Sequence, residues 1–347
     1  MQRILALDLG QHKSAARLHV TDGRPDFTST VPTTPQALHD LGVATDPDVV
    51  IIESSFLSYW VHDLFAAMGK QVIVTANNGP AWRWKNTRSK SDRGDAAKLI
   101  KMHLTGQLEP VHLPDHAGRQ WRGLIQQRHA LVGDRTRLRN RVTGQLRLQG
   151  LALATAKDAW NKAWRGQVVA LARPLQGCPA EELWRGRLHQ DLAMLAQVEE
   201  LIGQAEEVLA GLSKGRAAVA FLQEEPGVGP RLAETLAAVI DDPLRFRSGK
   251  EVGCYAGLTP RHWESGETRR QGHISKQGSR LLRTLLVEVC WLGLRHNAWM
   301  RGVYEKVKRG VPGRAKIAIV AVARRLLIRL WARWRDWVRA GQPALAA

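Results

Sequence analysis

The chain has 347 residues, of which 44% are hydrophobic and 24% are charged, and its net charge is +19 at pH 7. This length and composition predict a globular protein of two domains and exclude a membrane protein, because no apolar run approaches the roughly 20 residues of a membrane-spanning helix. The excess positive charge predicts a polyanionic partner, and its spread over many segments favours nucleic acid over a membrane surface.

Cysteine usage and the first residues indicate the compartment. The three cysteines, Cys178, Cys254 and Cys290, lack the paired spacing of a zinc knuckle or a disulfide framework. The opening "MQRILALDLG" has an aspartate within its short apolar stretch and does not predict a signal peptide. We therefore expect a protein of the reducing cytoplasm.

The first 110 residues predict an α/β domain. The run "DVVIIES" is continuously apolar and ends on a carboxylate, which is typical of a central strand covered on both faces. Apolar spacing and glycine stops predict the other elements. The predicted strands are 4–9, 14–23 with its turn, 48–54 and 70–77, and the predicted helices are 58–69 and 91–106.

A linker is predicted at 110–118, and the region after it is helical and rich in arginine. The segments 119–150 and 187–213 predict an antiparallel, coiled-coil-like hairpin; the alternative is that both helices simply cover one core. Apolar residues recur every seven positions in the second segment. They are Leu188, Leu195, Ile202 and Leu209, with Val198, Ala205 and Leu212 as an intermediate seam.

The last third of the chain contains one turn motif and one basic helical end. The Pro-Gly-x-Gly-Pro turn at 226–230 leads into a helix and resembles helix-hairpin-helix modules, whose turn amides meet phosphate, although such turns also open ordinary helices. The final fifty residues form strongly basic helices. Their tryptophans at every third position, Trp331, Trp334 and Trp337, indicate core packing more than base stacking.

Four carboxylates stand out because of the elements in which they lie. Asp8 and Glu53 end two apolar strands, and parallel strands present their carboxyl ends at one edge of a sheet. Asp92 and Asp95 are three residues apart at a helix start, with Lys90 and Arg93 beside them. Four converging carboxylates would hold two Mg²⁺ ions for phosphodiester chemistry. Taken singly, the first two are also compatible with a turn and a surface ion pair, and the helical pair with a capping box.

The order "LALDLG", "VVIIESS" and "SKSDRGDAAKL" resembles the RuvC-like Asp-Glu-Asp-Asp domain of the DEDD insertion-sequence transposases, which are guided by a bridge RNA. The segment 251–288 is similar to that family's second conserved segment, with Gly-Leu-x-Pro, Glu-Ser-Gly and Ile-Ser-Lys-x-Gly in order. The resemblance covers nearly the whole chain. In one departure, "ESSFLSYW" replaces the small Ala/Thr-Gly stretch that usually follows the glutamate.

The resemblance implies a fold, partners and roles for particular residues. The fold is α/β plus α: an RNase H-like (RuvC-like) domain at 1–110, coiled-coil helices at 111–218, and a helical transposase domain at 219–347. Members are bacterial and act at the nucleoid as dimers or tetramers, on donor and target DNA held by a structured RNA. Mg²⁺, or Mn²⁺ in its place, is held by the metal-binding tetrad, and a serine is the nucleophile. These positions are Asp8, Glu53, Asp92, Asp95 and Ser265.

The chemistry of the second half is consistent with a serine nucleophile, which requires activation and phosphate contacts. Basic residues that follow Ser265 would hold the scissile phosphate; they are Arg269, Arg270, Lys276 and Arg280. Ser275 and Ser279 are rival nucleophiles, and Ser275 is the expected cap of the following helix. Whether the serine and the tetrad meet within one chain or between chains is left open.

Two other functions fit the same residues. A junction resolvase-like endonuclease would use the carboxylates and water and need no serine. A non-catalytic nucleic-acid-binding protein with a decayed site would retain only the positive charge.

Overall fold

The computed structural model describes residues 1–76, 92–151, 159–265 and 268–341, and within these only the backbone of residues 92–93, 262–265 and 268–271. The chain divides into two compact units, Met1–Pro114 and Asp115–Ala347. Each unit is described by itself below.

A five-stranded mixed sheet forms the centre of the first unit, in the order β3-β2-β1-β4-β5. β1 pairs antiparallel with β2 and β2 with β3, whereas β1, β4 and β5 run parallel. The carboxyl ends of β1, β4 and β5 therefore lie along one edge of the sheet, which we call the carboxyl edge. The strands are β1 Arg3–Leu9, β2 Lys13–Val20, β3 Phe27–Pro32, β4 Val49–Glu53 and β5 Gln71–Thr75.

Helices cover both faces of this sheet, and the alternation of apolar residues assigns each side chain to a face. On one face, Leu5 and Leu7 pack in a core with residues of α1 (Pro35–Thr45) and α2 (Ser58–Ala67). On the other, Ile4 and Ala6 pack with residues of α3 (Asp92–Leu104). The central strand β4 is buried on both sides, as its continuous apolar run predicts.

The two long helices of the second unit, α4 (His116–Leu148) and α6 (Leu183–Lys214), form an antiparallel pair. The direction follows from the ion pairs, since Arg128 meets Glu206 whereas Arg141, farther along α4, meets Asp191. The hairpin prediction is confirmed, and Leu188, Leu195, Ile202 and Leu209 are all buried. Leu212, expected in the seam, is 36% exposed because it lies near the end of α6.

The remaining helices of the second unit, except α5, share one large core that includes Trp121 from α4 and Leu209 from α6. Trp164 and Val168 of α5 pack in a smaller core with Val142 of α4 and Leu188 of α6. Trp331 and Trp334 are buried in it and Trp337 stacks on Phe221, so the tryptophan stripe is core packing, as expected. The helices are α5 Lys162–Leu171, α7 Ala217–Gln223, α8 Pro230–Ile240, α9 Gly249–Tyr255, α10 Arg280–Gly293, α11 Ala298–Lys308 and α12 Ala315–Arg339.

The predicted class, an α/β N-terminal sheet followed by a helical region, is confirmed. Each strand and helix predicted in the first unit is present within a few residues of its predicted ends. The three-part division at 110 and 218 remains a prediction. Within the described ranges, no helix has both the length and the apolar character needed to cross a bilayer.

Candidate functional site at the carboxyl edge and on a basic ribbon

Asp8 and Glu53 occupy equivalent positions at the ends of two neighbouring parallel strands. The register pairs Ile4 with Val49 and continues to Leu7 with Ile52. Each carboxylate is the next residue in its strand, so the two project from adjacent strands at the same level of the carboxyl edge. Asp8 also pairs with Ala15 of β2, and Glu53 with Thr75 of β5.

Both carboxylates lie on the face that α3 covers. Side chains two residues apart in a strand share a face, and Ile4 and Ala6 pack against α3 together with Val49 and Ile51. Asp8 follows Ile4 and Ala6 on this face of β1, and Glu53 follows Val49 and Ile51 on the same face of β4. Both carboxylate side chains are half-buried. Two like charges side by side at the margin of an apolar core are costly unless a cation or donors neutralise them.

The second pair of carboxylates belongs to the helix on that face. α3 begins at Asp92, and Asp95 directly precedes Ala96, which packs with Ile4 and Val49. The Asp92 and Arg93 side chains and the whole of Lys90 lie outside the described residues. Among the side chains that are described, no three His, Cys, Asp or Glu residues are gathered as a metal cluster. The structure thus brings Asp8 and Glu53 together and assigns Asp95 to the helix on their face.

Ser265 lies on a two-stranded antiparallel ribbon of β6 (Pro260–Ser265) and β7 (Thr268–Ile274). It is the last residue of β6 and pairs with Thr268 next to the connecting turn. Arg269 and Arg270 are on β7, opposite Glu264 and Trp263. The side chains of all six residues lie outside the described set, so the structure fixes only their backbone positions.

The base of this ribbon is held by backbone-to-backbone packing that only glycine allows. Gly257 and Gly278 both have a φ of +67°, which disfavours other residues. A Cβ on Gly257 would meet the backbone of Gln277, and one on Gly278 would meet the carbonyl of Tyr255. The Lys276 N–H donates to the Gly257 carbonyl at 3.1 Å. The two motif segments "AGLTP" and "ISKQGS" are therefore two halves of one contact.

Arg283 completes this contact and is a residue that the sequence analysis missed. Its Nη1 donates to the carbonyls of Ala256, Gln277 and Gly278 at 3.1, 2.5 and 3.2 Å. Burial, together with the charge of Arg280, lowers the pKa of Arg283 from its ordinary value. In the sequence, Arg283 could be recognised only as an arginine one turn into a helix that follows a glycine turn. That pattern is also common on protein surfaces.

The rival serines are occupied by structural roles. Ser279, not Ser275, caps α10, because its Oγ accepts the Leu282 N–H at 3.2 Å. The expectation that Ser275 is the cap is wrong, since its N–H is used at the ribbon base, where it donates to the Thr259 carbonyl at 2.8 Å. The Ser275 Oγ is buried from solvent. The Ser279 hydroxyl thus caps a helix, and the Ser275 hydroxyl is shielded from solvent.

Two of the expected phosphate-binding residues have described side chains. Lys276 is exposed and has a left-handed backbone with φ of +58°. Arg280 is exposed at the first position of α10. Both follow the ribbon directly and can contact a polyanion that binds along it.

Thiol chemistry is excluded at the most buried cysteine. Burial raises the pKa of Cys290 to about 12, so its thiol stays protonated and inert in the core. The turn at 226–230 is also accounted for by folding. Val228 is buried in the core, Gly227 has a φ of +91°, and α8 starts at Pro230. Phosphate binding at this turn stays a prediction.

Comparison with known proteins gives matches over both units. A model of DEDD transposases of IS110 elements matches residues 5–149, and a model described as the transposase IS116/IS110/IS902 family matches residues 219–305. The first segment contains all four candidate carboxylates, and the second contains Ser265 and the ribbon base.

Individual relatives are also transposases by name. The transposase y4rJ of Sinorhizobium fredii is 27% identical over 310 residues, which cover 82% of this chain and 76% of that protein. The transposase for insertion sequence element IS1111A of Coxiella burnetii is 27% identical over 253 residues, covering 70% of this chain and 66% of that protein. Among solved structures, T. thermophilus RuvC in complex with a Holliday junction substrate aligns with 31% of this chain and 99% of its own. The identity is 15% and the TM-score 0.22, too low to support an argument about the site.

Proposed function

Because the chain belongs to the IS116/IS110/IS902 family of transposases, enzymes that act on DNA strands, we propose that it cuts and rejoins DNA through Ser265. In this proposal Asp8, Glu53, Asp92 and Asp95 hold divalent metal. The observation that carries it is the equivalent placement of Asp8 and Glu53 on the sheet face that α3 covers.

The residues present fit a hard divalent cation. Carboxylate oxygens are the ligands that Mg²⁺ prefers, and Mn²⁺ accepts the same set. Asp8 and Glu53 would provide two ligands from the rigid sheet, and Asp92 and Asp95 would provide two from α3. When bound, the metal would stabilise the charge that develops on the scissile phosphate. Asp8 and Glu53 gain from such a cation, because it removes the repulsion between them.

The serine step conserves bond energy. The Ser265 oxygen bonds to phosphorus and loses its proton, while the bond from phosphorus to the leaving deoxyribose oxygen breaks and that oxygen takes up a proton. The product is a phosphoserine and a free DNA hydroxyl. Attack by another DNA hydroxyl reverses the step and rejoins the strand without ATP. Lys276 and Arg280, together with Arg269 and Arg270, would hold the phosphate in this step. Lys90 and Arg93 would contact the strand near the tetrad.

Partners beyond DNA are also part of the proposal. A structured guide RNA that selects donor and target DNA is proposed from the family resemblance, and the net charge of +19 is compatible with it. Assembly into a dimer or tetramer is supported by a stripe on α6. Met194, Leu201 and Val208 lie seven residues apart and are 44%, 40% and 53% exposed, which is the pattern of an uncovered coiled-coil seam.

Cleavage of labelled DNA in Mg²⁺, followed by denaturing gels that retain protein–DNA adducts, tests the serine. The expected result is a covalent adduct with the wild-type protein and loss of both adduct and strand transfer in Ser265→Ala. Ser275→Ala is the matched control and should keep both. Full cleavage by Ser265→Ala without any adduct would support a water-using endonuclease instead. Unchanged activity in Asp8→Ala and Asp92→Ala would support a non-catalytic binding protein.

The RNA proposal has a separate test. Purification of the full chain from cells, followed by sequencing of the co-purified nucleic acid, should yield one discrete RNA encoded beside the gene. Recovery of only heterogeneous cellular RNA would contradict the guide proposal and leave the cleavage proposal intact.

A further inference from the structure

An exposed phenyl ring lies three residues after one of the candidate metal ligands. Phe56 lies three residues after Glu53, in the turn that joins β4 to α2, and it is 75% exposed. Tyr59, at the start of α2, is 40% exposed. Single exposed apolar residues are ordinary on protein surfaces, so the case for Phe56 depends on its support and its position.

The turn that carries Phe56 is fixed by four hydrogen bonds between its flanking residues. The Ser58 Oγ donates to the Ser55 carbonyl at 2.7 Å, and the Ser58 N–H donates to the same oxygen at 3.3 Å. The Ser55 N–H donates to the Ser58 Oγ at 3.3 Å, and the Leu57 N–H donates to the Ser55 Oγ at 3.2 Å. Ser58 is buried, so the frame is anchored in the core while the ring of Phe56 points away from it. Little conformational entropy remains for the turn to lose when a ligand covers the ring.

The position of Phe56 relates it to the carboxylates. Three residues of chain span at most about 11 Å, so the Phe56 and Glu53 Cα atoms lie within that distance. The turn follows the end of β4 and therefore lies at the carboxyl edge. The β1–β2 turn lies at the same edge, beyond Asp8, and its His12 and Lys13 are exposed. The carboxyl edge thus has an exposed lysine on the β2 side of Asp8 and an exposed aromatic ring in the turn that follows Glu53.

We propose that Phe56 stacks on an unpaired nucleobase next to the phosphate that the carboxyl edge holds. This inference rests on the proposed function for the location of that phosphate. A nucleobase is the favoured occupant because the strong positive charge of the chain favours a nucleic acid, and because bases flank every phosphate of a bound strand. Stacking on an aromatic ring requires an unpaired base, so Phe56 favours single-stranded or distorted DNA over a regular duplex.

The test measures binding without catalysis. The full chain with Ser265→Ala, which blocks the proposed cleavage and serves as the reference, is titrated in Mg²⁺ with a single-stranded 20-nucleotide DNA that contains one 2-aminopurine, and with the same sequence as a duplex. Each variant of Phe56 or Phe27 is made in this background. Phe56→Ala should weaken single-strand binding by about 5- to 150-fold, the equivalent of about 1–3 kcal/mol per stacked base, and relieve the quenching of 2-aminopurine. Duplex binding should stay within twofold. The slope of log K against log salt should not change, since it counts phosphate contacts and not stacking.

Matched variants separate stacking from other roles. Phe56→Trp should retain the affinity, and Phe56→Leu should lose it as Phe56→Ala does, because leucine has no aromatic face. Phe27→Ala is the control: Phe27 is 54% exposed on β3, the strand at the far side of the sheet from β4. It should bind as the wild type does.

Unchanged single-strand affinity in Phe56→Ala, or wild-type affinity in Phe56→Leu, would overturn the inference. So would a smaller oligomer of Phe56→Ala than of the wild type in analytical ultracentrifugation, because the ring would then belong to a contact between copies of the chain. The proposed function is tested separately, by Mg²⁺-dependent cleavage in Asp8→Asn. If Phe56→Ala binds single-stranded DNA as the wild type does and Asp8→Asn loses cleavage, the stacking inference fails and the proposed function stands.

Discussion

At the scale of single residues, two glycines decide whether the ribbon that carries Ser265 has a firm base. Gly257 and Gly278 both adopt the left-handed conformation, and each Cα approaches the backbone of the other segment. A side chain at either position would add steric overlap to an unfavourable backbone conformation. The carbonyls that Arg283 contacts belong to the same two segments, so they would be displaced together.

We expect Gly278→Ala to lower the free energy of unfolding by at least about 2 kcal/mol and to abolish strand cleavage, because the Tyr255 carbonyl occupies the space of the new methyl group. Thermal unfolding and the adduct assay measure the two effects. Gly302→Ala is the control, since Gly302 lies in α11 with open space at its Cβ and should be neutral or gain up to about 1 kcal/mol. Equal stability of Gly278→Ala and the wild type would show that the described contact does not form.

Single residues also show what the sequence could and could not predict about the site. Asp8 and Glu53 were identified because a carboxylate that ends an apolar run is conspicuous, and parallel pairing then places two such residues together. Arg283 and Phe56 were missed, because an arginine in a helix and a phenylalanine in a turn are common. The contacts of Arg283 involve three carbonyls, and the role proposed for Phe56 depends on hydrogen bonds between Ser55 and Ser58, which only the fold brings together.

At the scale of elements, the α4–α6 hairpin is joined to α5 by one carboxylate. Glu199 of α6 accepts hydrogen bonds from Arg139 of α4 at 2.5 Å and from Arg165 of α5 at 2.9 Å. Both guanidinium groups also lie over the ring of Trp160. Partial burial disfavours the charged form of Glu199, but the two arginines outweigh it and lower its pKa from the ordinary value.

A lowered folded-state pKa fixes the sign of the pH dependence. The stabilisation from Glu199 is complete above the pKa of an unfolded glutamate, about 4.3, and is lost as the pH falls through the lower folded-state value. We expect Glu199→Gln to cost about 1–3 kcal/mol at pH 7, and the difference from wild type to shrink as the pH is lowered through 4. Urea unfolding midpoints at several pH values measure it. Glu200→Gln changes an exposed neighbour and should have little effect; a pH-independent difference for Glu199→Gln would contradict the assignment.

Several of the elements that the sequence does not predict have weak periodicity. β3 is an edge strand of largely exposed residues, so its alternation between apolar and polar side chains is faint. The ribbon of β6 and β7 is rich in charged residues, as "RHWES" and "TRRQGHI" show, and an isolated ribbon has no apolar face to bury. α5 is only ten residues long. The elements that were predicted bury one complete face or stripe.

At the scale of the whole molecule, the candidate residues are divided between two units. The carboxylates belong to Met1–Pro114, where Asp8 and Glu53 end two parallel strands of the sheet and Asp92 and Asp95 lie on α3, whereas Ser265 belongs to Asp115–Ala347, where it ends the first strand of the ribbon. Composition predicted the polyanionic partner for the entire chain, and motif order predicted which unit holds which residues. A catalyst built in this way depends first on whether the carboxyl edge binds metal.

Titration of the full chain with Mn²⁺, followed by electron paramagnetic resonance of the free ion, tests that claim most directly. The account predicts saturable binding by the wild type, a loss of affinity of at least about tenfold in Asp8→Asn and Glu53→Gln, and no change in Asp40→Asn. Asp40 is an exposed carboxylate on α1, the helix on the opposite face of the sheet. Equal Mn²⁺ affinity in the wild type and Asp8→Asn would contradict the account, because the carboxyl edge would then not be the metal site.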